Sequence, residues 1–298
     1  MSSADLSGTV IAIFGPTASG KTAVAEAVAD AIPAEIVSAD SMQVYEGLPI
    51  LTNQPERPTA LVAVWPLDHE GSVAEFQRLA HEAIDSALAR GRAPVVVGGT
   101  GLYLRAALAE LDLPPAPPPG ARARWERVYD RVGPEQAHAA LAERDPQAAE
   151  TVHPNDRRRV VRALELHEAG GSLAPPRDRL WSEETRRPTL IFGLDVPKAV
   201  LDERIRERTE HMFERGVEAE VERARRSPVS KTAGQIIGLR EIAELPSAEA
   251  KEAIALATRQ YAAYQRKWMR RIPGIHAVSA DRAPSETAAE ILALAGAH

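Results

Sequence analysis

Short apolar runs alternate with stretches of helical periodicity through the first third of the chain. Residues 9–14 read as a buried β-strand, followed by a glycine-containing loop and an alanine-rich helix to about residue 31. Residues 36–38 give a second buried strand, ending at Ala39-Asp40-Ser41. Residues 73–90 carry helical periodicity, and residues 94–97 form a third strand that ends in Gly98-Gly99-Thr100. This alternation predicts an α/β fold: a mostly parallel sheet with helices on both faces.

The pattern then breaks. Residues 113–120, Leu-Pro-Pro-Ala-Pro-Pro-Pro-Gly, suit neither a helix nor a central strand. From 121 to about 171 only helical patterns occur, and a looser stretch at 170–187 closes the segment. Residues 189–196 read as a strand again, and 275–279 as the last one, before a final alanine-rich helix. The expected organisation is an α/β core at 1–112, an all-helical insertion at 113–187, and the rest of the core with C-terminal helices at 188–298.

Composition narrows the classes. The 298 residues include no cysteine, which excludes disulfides and thiolate metal sites. No apolar run approaches the ~18 residues of a membrane span. The polar start runs straight into a glycine loop, unlike a signal peptide, so a cytoplasmic protein without membrane association is expected. The net charge of -6 argues against non-specific coating of nucleic acid but leaves room for a focused basic groove.

Gly15, Gly20, Lys21 and Thr22 fit the phosphate-loop pattern G-x-x-x-x-G-K-[ST], with a strand before it and a helix after it. The core is thereby expected to be P-loop NTPase-like. Backbone amides of Gly15, Pro16-Thr17-Ala18-Ser19 and Gly20 (all but proline's) would form an anion nest, and Lys21 adds a mobile cation. The Thr22 hydroxyl is placed to ligate a magnesium ion, Mg2+, that bridges phosphates. No carboxylate follows the strand at 94–97, as a motor or switch NTPase would require. Asp40 is the well-placed acid, with two readings: a helix cap or magnesium-shell residue, or a general base at the mouth of the phosphate site.

Several segments together resemble the tRNA dimethylallyltransferase (tRNA isopentenyltransferase) family. They are GPTASGKT at 15–22, SADSMQVY at 38–45, VGGTGLY at 97–103, HPND at 153–156 leading into RALE at 162–165, QIIG at 235–238 and TRQY at 258–261. They run in the family's order and span roughly residues 10 to 279. The resemblance implies transfer of a dimethylallyl group from dimethylallyl diphosphate to the exocyclic amine of adenosine 37 in tRNA, beside the anticodon. It implies that the phosphate loop holds the diphosphate leaving group together with Arg208. It implies that Asp40 is the base, alongside Lys21, Thr22 and Arg208 in catalysis. The target base is expected to leave its stack for a pocket lined by Asp40, Ser41, Met42, Gln43 and Thr100. Thr100 is also expected to cap the helix that follows it.

Two basic clusters stand out against the acidic total. Arg157, Arg158, Arg159 and Arg162 lie in the insertion with only Asp156 beside them in sequence; by the resemblance this segment binds the anticodon stem-loop, as does the stretch from Gln235 to Arg240. Arg259, Arg266, Lys267, Arg270 and Arg271 form the second cluster, interleaved with Tyr261, Tyr264 and Trp268, whose spacing reads as packing. Arg204 and Arg215 read as a solvated face, Arg208 as functional. His153 reads as part of a helix-entry turn rather than a metal ligand. Gln54 stands where the family has lysine, and Ala263-Tyr264 where it has lysine and arginine. No protein partner is implied. Two other enzymes would share the phosphate loop, a small-molecule kinase and an adenine-nucleotide prenyltransferase, and neither accounts for the arginine-rich insertion.

Overall fold

The computed structural model describes residues 6, 8–113, 118, 120–174 and 179–296. Most of the proline-rich segment at 113–120 and part of the loose stretch at 170–187 lie outside them. The chain divides into two compact units, one made of Met1–Glu110 with Leu180–His298, the other of Leu111–Arg179.

The larger unit is built on five parallel strands: β1 (Val10–Phe14), β2 (Ala34–Ser38), β3 (Ala93–Gly98), β4 (Thr189–Asp195) and β5 (Ile275–Ser279). Their order across the sheet is β2-β3-β1-β4-β5. β1 is central, and all five of its residues are buried, which is why its sequence is continuously apolar rather than alternating. Ile11, Ile13, Val95, Val97 and Leu194 face one side with α1 (Lys21–Ala31). The other side takes α2 (Val73–Ala89) and α3 (Gly101–Leu108), which bury Phe76, Ile84 and Leu104. Ser72 caps α2 by accepting the Glu75 N–H at 3.1 Å.

The smaller unit is all helical: α4 (Ala121–Val132), α5 (Pro134–Arg144), α6 (Pro146–Thr151) and α7 (Arg157–Glu168). Tyr129, Leu141, Val160, Val161 and Leu164 form its core. Proline opens α5 and α6, where its missing N–H costs nothing. Asp145 and Asp156 cap α6 and α7. His153 accepts the Asn155 N–H at 3.2 Å in the turn before α7.

After the insertion the chain returns to the larger unit at Leu180, so residues 180–187, which the loose sequence pattern puts in the insertion, belong to the core. Polar pairing is the reason. Buried Arg105 on α3 donates to the carbonyls of Leu180, Ser182 and Glu184, at 2.9 to 3.2 Å. Arg186 and Arg187 both bind Asp85 on α2. The remaining core helices are α8 (Lys198–Glu214), α9 (Val217–Ala224), α10 (Leu239–Glu244), α11 (Ser247–Met269) and α12 (Pro284–Ala295). No helix among the described residues is long and apolar enough to cross a membrane.

Candidate active site

Where β1 ends, the chain turns away from the sheet into the loop at 15–20. Ala18 (φ 63°) and Gly20 (φ 83°) both adopt left-handed backbone, curling the loop around its own amides. A left-handed alanine costs about 1 kcal/mol, so the loop holds a strained shape that its surroundings must maintain. Gly20 is the N-cap of α1 and no side chain caps the helix, leaving the first-turn amides available at the positive end of the dipole.

These groups line a cavity of about 330 Å³. Thr17, Lys21 and Thr22 form its floor; Asp40, Met42 and Gln43 come from the segment after β2. Arg204 and Arg208 project from α8, and Tyr261 and Gln265 from α11. Leu51, Ile205, Met212, Ile237 and Ile254 supply an apolar wall.

The electrostatics of the cavity suit an anion. Burial lowers the Lys21 pKa, and Arg208 lowers it further, with Asp40 opposing. Burial also lowers that of Arg208, again against Asp40. Two desolvated cations with one carboxylate near both favour a negatively charged ligand. Arg208 Nη1 donates to Thr17 Oγ1 at 2.9 Å, which aims the guanidinium at the loop. Arg204 also lines the cavity and is half-buried, with Asp281 at 3.5 Å. The solvated face expected for it therefore holds only for Arg215, which is exposed.

Around Asp40 the chain is tightly tied. Asp40 Oδ1 accepts the Met42 N–H at 2.9 Å. Thr100 stands at the N-cap position of α3, but its side chain makes no capping bond. Its hydroxyl is engaged with the Ser41 hydroxyl at 3.2 Å and the Tyr261 hydroxyl at 3.0 Å, so the expected cap is absent. Tyr261 thus faces the cavity rather than serving as packing, and its phenol is pushed up to about 12 by burial and the Asp40 charge. Tyr264 is 54% exposed, again not packing, while Trp268 lies against Trp181 at 4.7 Å between centroids.

Gln43 lines the cavity, yet its amide is used internally. It donates to the Asn53 and Thr52 carbonyls at 2.8 and 3.3 Å and accepts from Ser38, holding the loop at 51–53 over the site. Gln54 donates to the Tyr45 carbonyl at 2.8 Å, giving the residue at the family's lysine position a backbone-bracing role. Buried Glu220 accepts the Ile50 and Leu51 N–H groups, each at 2.8 Å.

Of the other predicted residues, Gly15, Pro16 and Ser19 form the rear of the loop and do not line the cavity. Gln235 and Arg240 are exposed on a segment whose inward residue, Ile237, does line it. Gly98, at the end of β3, could not carry a side chain: a Cβ there would come 2.2 Å from the Ala39 carbonyl oxygen. In the helical unit, Arg157 is paired bidentately with Asp130 at 2.8 Å, and Arg162 with Glu165. The expectation of an unneutralised cluster therefore narrows to Arg158 and Arg159, which are exposed without an ion-pair partner among the described residues. Asp130 comes from a neighbouring helix, out of view of a local charge count, whereas Glu165 is only three residues beyond Arg162 on α7.

Sequence patterns single out neither Gln265 nor Glu220. The available signal was a polar side chain at a buried position of an otherwise apolar helical stripe, which becomes visible only once the buried face is known.

A P-loop, a cationic cavity and an adjoining apolar wall define a transferase acting on a phosphorylated, partly apolar donor. The comparisons specify the class. The IPP transferase family model matches residues 43–272, and the isopentenyl transferase model matches residues 8–59. A tRNA dimethylallyltransferase of Thermobifida fusca is 42% identical over 286 residues, covering 90% of this chain and 89% of the relative. The full-length tRNA isopentenylpyrophosphate transferase of Bacillus halodurans superposes with a TM-score of 0.69 at 30% identity, covering 96% of this chain and 95% of that one. A eukaryotic dimethylallyltransferase captured acting on tRNA gives a TM-score of 0.73 at 26% identity, over 92% of this chain and 74% of that one. The chain belongs to the IPP transferase family, the tRNA dimethylallyltransferases, and is a prenyltransferase.

Proposed function

We propose that this protein transfers the dimethylallyl group of dimethylallyl diphosphate to the exocyclic amine of adenosine 37 in tRNA and releases diphosphate. The observation that carries this reading is the single cavity in which Lys21, Arg208 and the open end of α1 face Asp40, beside an apolar wall. The diphosphate suits the loop, and the five-carbon chain suits Ile205, Met212 and Ile254.

In the reaction, the bond between the prenyl C1 and the diphosphate oxygen breaks while the adenine nitrogen bonds to that carbon. The loop amides, Lys21 and Arg208 take up the charge that develops on the departing diphosphate. The nitrogen gives its proton to Asp40. Tyr261, kept neutral at physiological pH, and Thr100 brace the wall on the Asp40 side and orient the incoming base.

Magnesium fits this donor set. The Thr22 hydroxyl lines the cavity and has no protein partner among the described residues, and no group of three acidic, histidine or cysteine ligands competes with it. Thr22 would supply one ligand, and phosphate oxygens and water the rest. When bound, the ion would screen the diphosphate charge.

On the RNA side, exposed Arg158, Arg159, Gln235 and Arg240 suit the sugar–phosphate backbone of the anticodon stem-loop. A tRNA substrate supports a cytoplasmic location.

The test is incubation with magnesium, labelled dimethylallyl diphosphate and unmodified tRNA bearing adenosine 37, with AMP and ATP as controls. Label on tRNA, abolished by Asp40→Asn with tRNA binding retained, is expected. Label on AMP would assign a nucleotide prenyltransferase instead, and consumption of ATP without prenyl transfer a kinase.

A further inference from the structure

The long helix α11 reaches both ends of the cavity. Tyr261 meets Thr100 near Asp40. One turn further along the same face, Gln265 is 2% exposed, and its Oε1 accepts the backbone N–H of Thr17 at 2.8 Å. Thr17 is the residue whose hydroxyl receives Arg208. The loop is thus gripped at one residue from two helices, through its backbone by Gln265 and through its side chain by Arg208.

The room for this contact is made by Gly99. A Cβ there would fall 2.3 Å from Gln265 Nε2 and 2.7 Å from the Gly15 carbonyl oxygen. Two features, a bare glycine just after β3 and a buried side-chain amide on α11, therefore converge on the start of the phosphate loop. Burying a glutamine sacrifices hydration and rotamer freedom, which its hydrogen bond must offset. The bond it makes goes to the strained loop, next to the left-handed Ala18. An N–H at position 17 left without an acceptor would favour reorientation of the peptide units that shape the nest.

We propose that Gln265 is a positioning residue of the diphosphate loop: by holding the Thr17 amide it keeps the amides of residues 18–22 and the Arg208 guanidinium set for the donor. The inference rests on the reading of this loop as the diphosphate site. It also gives α11 a double attachment, with Gln265 on the donor side and Tyr261 on the acceptor side.

The test uses Gln265→Met, which keeps length and burial and removes the acceptor. Binding of inorganic diphosphate and of dimethylallyl diphosphate, both with magnesium, is measured by calorimetry, and tRNA affinity separately. Steady-state kinetics and melting temperature are recorded on the same samples. Donor affinity is expected to fall about tenfold, with KM for the donor rising alike and tRNA affinity within about twofold of the parent. Gln265→Asn, which shortens the side chain by one methylene and withdraws the acceptor from the Thr17 N–H, is expected to show the same donor-selective loss, and it stands as the test should Gln265→Met not fold. Unchanged donor affinity in a folded variant overturns the proposal. So does a loss of donor and tRNA affinity together, in step with a lower melting temperature. Parent protein that binds no diphosphate overturns the functional reading itself, whereas parent binding with unaffected variants overturns only the role of Gln265.

Discussion

Arg208→Met separates the part of this cavity that binds from the part that merely holds the fold. The guanidinium is desolvated, stands near Lys21 and Asp40, and bonds to Thr17 Oγ1. Methionine keeps the apolar stem and removes the charge. A charge-assisted hydrogen bond contributes about 1.5–3 kcal/mol, so the affinity for dimethylallyl diphosphate should fall about 10–150-fold. Folding should respond differently. Removing the guanidinium relieves its desolvation and its repulsion of Lys21, which offset the lost bond to Thr17 and the lost attraction of Asp40, so the melting temperature of the free protein should barely move. A third signature concerns pH. Arg208 lowers the Lys21 pKa, and donor binding needs Lys21 protonated, so affinity falls as pH rises through that lowered value. Without Arg208 the Lys21 pKa moves up, and the fall begins at higher pH. Calorimetric titrations of parent and variant across the alkaline range read all of this, and comparing the two cancels the ligand's own ionisation. Unchanged affinity, or an alkaline fall moved to lower pH, would refute the electrostatic account.

Glu220→Gln leaves one acceptor oxygen for two N–H groups and is expected to cost about 2–4 kcal/mol in urea unfolding; a loss below about 0.5 kcal/mol would show that the loop at 50–51 does not depend on it. Asp85 is held at about 2, chiefly by its hydrogen bond with Arg186 and further by Arg187. Because its folded pKa is depressed, its contribution is full above the ordinary carboxylate value and fades as pH falls toward 2. Asp85→Asn should therefore be the less stable protein at neutral pH and equal to the parent below about pH 2; a pH-independent difference in acid unfolding would contradict this.

Much of the core was legible because its signals are local. The buried run at 10–14 predicts its own strand, and Gly15 to Thr22 carry phosphate-loop chemistry in their spacing. Asp40 is visible as the acid just after β2, and of its two readings the family resemblance implies the base. Arg208 was harder, since glutamates interleave with it on α8, and only the resemblance distinguished it from Arg204.

Long-range partners were not legible, and they changed several readings. Asp130 lies 27 residues before Arg157 and neutralises it, and Arg105 captures a strap 75 to 79 residues away. Thr100 looked like a helix cap until its hydroxyl was found between Ser41 and Tyr261, the latter 161 residues distant.

The sequence by itself determined the strands, the phosphate loop and the helical insertion, because each depends on residue type at short spacing, whereas the identity of the donor rests on the resemblance to a known family. Only the tertiary structure decided which cations remain free to meet a ligand and which buried polar group steadies the loop. Gln265 contacts Thr17 across 248 residues of chain, and no period in the sequence connects them. Hydrogen bonding and desolvation act over a few ångströms of space, so what a charged or amide group does is set by the neighbours that folding brings to it.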